Sequence, residues 1–223
     1  MDKLAGTNMM LHLRIGALLV ATFISAGTTA KANEYWQFDS DDNGITIYSR
    51  EHTGGLVEIR ARMFTPTSYG AFLTLLEDSD NIPNWIDNAS HSRVLNQISA
   101  TENIVYTQFT APWPAKNRDM LTYSKYWVDE LGFTIKIKSA PDSYLAEQKG
   151  YVRIRSVDAT WELQKLTNGT TLIDYKAFAD PPGGLLPIWL INKLSKQSAR
   201  ATFSNLRKEL PKYQQYSHPQ IKE

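Results

Sequence analysis

The sequence predicts an α+β fold in which a curved antiparallel sheet wraps around one long C-terminal helix and encloses a hydrophobic cavity. Three observations predict it. From residue 93 to residue 179 the chain reads as seven strand-length segments (93–98, 103–110, 119–128, 133–138, 151–156, 159–166 and 171–179). Two further alternating segments, 45–50 and 56–63, stand before them. One long helical pattern, from about 187 to 210, closes the chain. A sheet of so many strands does not stay flat and open, so strong curvature follows. A single helix across its open side then encloses a volume suited to one small ligand.

The elements follow in order from the N-terminus. Lys3 and Arg14 give a weakly positive start, residues 15–26 are apolar, and Ala30-Lys31-Ala32 reads as a small-x-small cleavage site. Residues 1–32 are therefore expected to be a signal peptide and 33–223 a single domain, with an uncleaved N-terminal anchor as the alternative. The apolar stretch is short for a span of about 20 residues. The chain has no cysteine, which excludes disulfides and a lipid-carrying cysteine after the signal. The expected product is soluble and periplasmic or secreted.

A polar stretch ends in the turn signal Asp41-Asp42-Asn43-Gly44. In the hairpin that follows, Val57, Ile59, Ala61 and Met63 share one face, while Glu58, Arg60 and Arg62 share a solvated one. Thr65-Pro66 is read as a helix start, with Tyr69, Phe72, Leu73 and Leu76 on the apolar face. A short second helical segment near Pro83 carries Trp85. Asn168-Gly169 marks a hairpin between the last two strands. Pro181-Pro182-Gly183-Gly184 ends the last strand, and Pro187 opens the terminal helix.

That helix begins with large residues, Ile188, Trp189, Leu190, Ile191 and Leu194, and continues with small ones, Ser195, Ser198, Ala199, Ala201 and Thr202. The small residues either leave room for a ligand or let the helix approach the sheet closely. Six tryptophans pose the same choice: large rings fill a core or line an apolar pocket.

Three segments resemble the START (StAR-related lipid-transfer) family. They are Asp78-Ser79-Asp80-Asn81-Ile82-Pro83-Asn84-Trp85; Ile104-Val105-Tyr106 followed by Pro112-Trp113-Pro114-Ala115-Lys116-Asn117-Arg118-Asp119; and residues 180–192 with Asp180, Pro187 and Trp189. They occur in the family's order and span nearly all of the chain beyond the signal. The resemblance implies a helix-grip (START/Bet v 1-like) fold whose internal tunnel takes one lipid or sterol, with the C-terminal helix and nearby loops as a lid. Phospholipid-binding members tend to carry an arginine where this chain has Ile82, so a less polar ligand is expected. The extra proline at 181 or 182 departs from the family's pattern and would stiffen the hinge before the lid.

The expected ligand-binding residues are Trp85, Tyr106, Trp113, Arg118, Asp119, Trp189, Leu190, Leu194, Ser198 and Ala201. Arg118 and Asp119 point to opposite faces of one strand, so one of them either grips a ligand's polar end or fixes the loop as an ion pair. Trp113 suits either a membrane interface or packing against the terminal helix. Trp189 and Trp85 are read mainly as core.

No catalytic residue, metal site or cofactor is expected. His52, His91 and His218 show no ligand spacing, and neither a nucleophile elbow nor a phosphate-binding glycine loop occurs. Without residues 1–32 the chain keeps 21 basic and 22 acidic residues, which argues against a nucleic-acid partner. The expected partners are a lipid or sterol-like ligand and, transiently, a membrane surface, with the chain monomeric. The rival reading is a helix-grip enzyme acting on a hydrophobic substrate, which requires converging polar groups with perturbed pKa values. A filled-core interaction module without a cavity is the third.

Overall fold

A computed structural model describes residues 35–113, 115–180 and 186–223. Its ten strands are β1 (Gln37–Asp42), β2 (Ile45–Glu51), β3 (Val57–Thr65), β4 (Ala89–Ser99), β5 (Glu102–Phe109), β6 (Asn117–Asp129), β7 (Gly132–Ser139), β8 (Tyr151–Ile154), β9 (Ser156–Lys165) and β10 (Thr171–Asp180). Three α-helices complete the order: α1 (Tyr69–Glu77) and α2 (Ile82–Trp85) between β3 and β4, and α3 (Ile188–Glu209) after β10. The strands form one sheet in the order β1-β2-β3-β10-β9-β7-β6-β5-β4, with β8 lying parallel beside β6. The nine strands of the main path are antiparallel to their neighbours. The pairing of β4 with β5 shifts register at three places: Ala89/His91, Val94/Asn96 and Gln97/Ser99.

The hairpin of β2 and β3 forms as its alternation demands, with Ile45, Ile47, Ile59, Ala61 and Met63 buried on one face. The other face of β3 is not simply solvated. Arg60 forms a two-pronged ion pair with Asp174 of β10, and Arg62 lies 3.2 Å from the same carboxylate. The stretch 37–42 is a strand, not only a polar lead-in. Asn43 and Gly44 both take positive φ, 53° and 75°, giving the two-residue turn that joins β1 to β2.

The helix start also differs from the expectation. Thr65 ends β3, and α1 begins at Tyr69, where the Ser68 hydroxyl accepts a hydrogen bond from the Ala71 N–H at 3.0 Å. Ser68 competes better than Pro66 because it satisfies one of the helix's free N–H groups.

Aromatic packing decides where the core sits. Trp161 of β9 stacks on Tyr175 of β10 at 4.1 Å between ring centroids and on Phe203 of α3 at 5.7 Å; Phe72 and Trp85 close round it at 5.3 and 6.2 Å. Ala199, Thr202, Phe203 and Leu206 form the buried stripe of α3 at helical spacing. Small residues in α3 therefore allow close approach, and rings fill the space beneath it. Asn192 fastens the start of the helix to the β2–β3 hairpin, donating to Gly55 O at 2.8 Å and accepting from Val57 N at 3.2 Å.

The C-terminal residues fold back over α1. The Glu223 carboxylate accepts from Gly70 N at 2.7 Å, and His218 lies 2.9 Å from Glu77. Beneath this strap the Tyr126 hydroxyl donates to Ala100 O at 2.9 Å, and burial, with Glu77 nearby, pushes its pKa up to about 12. Burial and its bond to Asp78 push Tyr213 to about 12 as well. Both phenols are held neutral above their ordinary value of 10.0. The stability this confers is complete below that value and is lost as pH rises through about 12. Circular dichroism is expected to show cooperative loss of structure between pH ~10 and ~12, with tyrosinate absorbance rising in step. Ordinary titration of every tyrosine ahead of unfolding contradicts this.

Candidate ligand-binding cavity

A partly open space lies beside α3, and no described residue of α3 lines it. It is a cavity of about 110 Å³ between α1–α2 and the strands β4 to β7. Leu73 and Leu76 of α1 and Ile82 and Ile86 of the α2 segment form its apolar wall. The sheet supplies a mixed floor in which Val94, Val105, Met120, Ile135 and Ile137 alternate with Ser92, Asn103, Thr107, Thr122 and Ser124. The strand register explains the mixture: Asn103 faces Ser124, Val105 faces Thr122, and Ser92 and Val94 face Thr107 and Val105. Ser92 and Thr107 hydroxyls lie 3.3 Å apart and are buried.

Among the described residues Glu77 is the one charged residue lining this cavity, and it is already engaged by His218. A second, larger groove of about 760 Å³ lies outside the helices among Asp78, Asp80, Glu209 and Tyr213. It is open and polar, so it cannot shield an apolar ligand from water.

Several residues expected at the ligand are placed elsewhere. Tyr106 and Asp119 lie on the convex face, because residues 103, 105 and 107 of β5 and 120, 122 and 124 of β6 take the cavity side. There Asp119 is fully buried and pairs with Arg153 of β8 through both carboxylate oxygens, at 2.9 and 3.0 Å, while the Tyr106 hydroxyl donates to it at 3.0 Å. Arg153 also reaches Asp142 at 2.9 Å and Leu145 O at 3.1 Å. This network clamps the segment before β8 onto the back of the sheet.

Arg118 has the cavity-side parity but does not line the cavity. Its guanidinium bonds the Lys116 carbonyl, and burial lowers its pKa. Trp85 is wholly buried in the ring cluster, and its Nε1 has no hydrogen-bond partner among the described residues. Leu190, Leu194, Ser198 and Ala201 are half-buried on α3 and do not line the cavity. Trp189 is 66% exposed and Trp113 is 92% exposed, so neither is core and Trp113 does not pack against α3. Ala30, Ala32 and residues 181–185 lie outside the described residues.

Sequence reasoning missed Asn103, Thr122 and Ser124. Their one signal was a run of short polar side chains on the buried parity of strands, where large apolar ones are usual. Among the described residues no group of three or more His, Asp or Glu could hold a metal, and no helix is long and apolar enough to cross a membrane.

A long curved antiparallel sheet gripping one C-terminal helix defines a helix-grip domain, and the comparisons with known proteins agree. The chain is 29% identical to a solved STAR-related lipid transfer protein fragment from Xanthomonas axonopodis, with a TM-score of 0.71 over 79% of this chain and 98% of that one. It is 27% identical over 202 residues to an uncharacterized protein of Pseudomonas aeruginosa, covering 87% of this chain and 95% of the relative. It is 26% identical over 174 residues to the human phosphatidylcholine transfer protein, covering 75% and 79%. No protein-family model matches the chain. The chain therefore has the START-type helix-grip fold and is similar to START lipid-transfer proteins in sequence.

Proposed function

We propose that the chain is an exported protein that binds one hydrophobic amphiphile in the cavity between α1–α2 and β4–β7 and exchanges it with membranes. The observation that carries this reading is the cavity's chemistry: an apolar helical wall over a floor of uncharged polar groups. Relatives that include lipid transfer proteins support it. Apolar burial at about 25 cal/mol per Å² supplies most of the affinity.

Binding is favoured over acid–base catalysis by the two titratable side chains lining the cavity. Glu77 is engaged by His218, and Tyr126 is pushed up to about 12, away from neutrality.

The cavity as it stands is smaller than the ~300–1,000 Å³ of ordinary small-molecule sites. A lipid therefore requires the cavity to widen, by movement of the α1–α2 wall together with the C-terminal strap that Glu223 and His218 fasten over α1. The exposed rings of Trp113 and Trp189, with Ile188 beside the latter, suit contact with a membrane interface. Residues 1–32 are assigned to export and 33–223 to the domain.

Native mass spectrometry of the chain purified from its exported fraction, followed by solvent extraction, tests the reading. A co-purifying amphiphile of defined mass is expected. A protein that is empty and takes up no added fatty alcohol, fatty acid or sterol overturns it.

A further inference from the structure

The cavity's floor contains one polar atom that the fold leaves unused. Asn103 Oδ1 is buried and has no hydrogen-bond partner among the described residues. A buried acceptor without a donor is unfavourable by more than a typical hydrogen bond contributes, and because its residue lines the cavity it can take a donor from a ligand once the cavity opens.

Its neighbours define that donor further. Ser124 stands directly across from it on β6, with Thr122 and Thr107 further along the same face. These hydroxyls can donate or accept. A phosphate or carboxylate end would need a cation, and among the described residues no lysine or arginine lines the cavity. A quaternary ammonium end would need an aromatic cage or an unpaired carboxylate. Among the described residues the cavity has one ring, Tyr126, and one carboxylate, which is engaged by His218.

We propose that the ligand presents an uncharged hydroxyl to Asn103, and that the site selects alcohol-ended amphiphiles over charged-headgroup lipids. This rests on the lipid-binding reading and specifies which end of the ligand the cavity holds. The Asn103 carbonyl accepts the ligand O–H, and the Ser124 hydroxyl, across the strand pair, is placed to donate to the same oxygen.

The test compares four compounds with one sixteen-carbon chain: hexadecanol, hexadecyl methyl ether, hexadecanoic acid and hexadecyl phosphocholine. Each displaces a fluorescent fatty probe from the full chain. Hexadecanol is expected to bind on the order of tenfold more tightly than its methyl ether, which has the same chain but no donor. The acid and the phosphocholine are expected to be weaker than the alcohol. Asn103→Leu is expected to abolish the preference, so that the alcohol and its methyl ether bind alike.

The comparison within the unmodified protein needs no variant, so a misfolded Asn103→Leu does not blunt it. Binding of all four without preference, or preference for a charged end, overturns the hydroxyl assignment and leaves lipid binding standing. Failure of all four and of the probe to bind removes the lipid-binding reading as well.

Discussion

Replacing Arg153 with methionine is expected to lower the unfolding free energy by about 3–5 kcal/mol. Arg153 is 2% exposed, and Asp119, which it neutralises, is fully buried. Methionine fills similar space but leaves the carboxylate buried with only the Tyr106 hydroxyl for support. The Asp142 and Leu145 contacts are lost at the same time. A urea titration of the single variant reads the loss. The paired variant Asp119→Leu, Arg153→Met separates causes, because removing both charges is expected to restore most of the stability. If the double variant is no better than the single, the loss comes from the released 142–146 segment rather than from the stranded charge.

Thr122→Phe is expected to abolish ligand loading, reducing uptake at least about tenfold, with a stability change within about 1–3 kcal/mol. Thr122 is 3% exposed on the cavity floor, and a phenyl ring there projects into a space of about 110 Å³. The companion variant is Ala201→Phe on α3, a position the sequence points to as part of the ligand wall. It is half-buried and does not line the cavity, so loading is expected to persist in it. The reverse pattern, with Ala201→Phe empty and Thr122→Phe loaded, moves the ligand to the helix side. Native mass spectrometry of both variants reads the result directly.

The difference between those two positions shows what the sequence could carry. Strand alternation and turn residues were legible, and the seven segments from 93 onward correspond to β4–β7, β8, β9 and β10 with ends shifted by a few residues. The strand β1 was not legible because almost every residue in it is exposed, which leaves no alternation to read. Facing was the harder problem. On β5 and β6 both parities carry large apolar residues: Ile104, Tyr106 and Leu121 on one side, Val105 and Met120 on the other. Only the packing of β8 and the segment before it tells which side is the back. That packing depends on Arg153 meeting Asp119 across 34 residues of chain, a pairing no local pattern announces. The rings under α3 were equally silent: Trp161, Tyr175 and Phe203 are ordinary core residues one by one, and only their stacking fills the space that the small residues of the helix seemed to leave open.

The shifts of register along β4 have a consequence for the company this protein keeps. Among the described residues β4 ends the sheet, so one side of its backbone has no neighbouring strand there. An unpaired margin of that kind is a template for a strand from another molecule, and repeated addition there is how sheets grow into fibrils. A newcomer finds at most the four consecutive positions from His91 to Val94 between the first dislocation and the second, and two more, Asn96 and Gln97, before the third. Each dislocation bends the strand and breaks the ladder a second chain would need. On the proposed function, a ligand held against Ser92 and Val94 of this same strand would be carried at high protein concentration without the carriers zipping together.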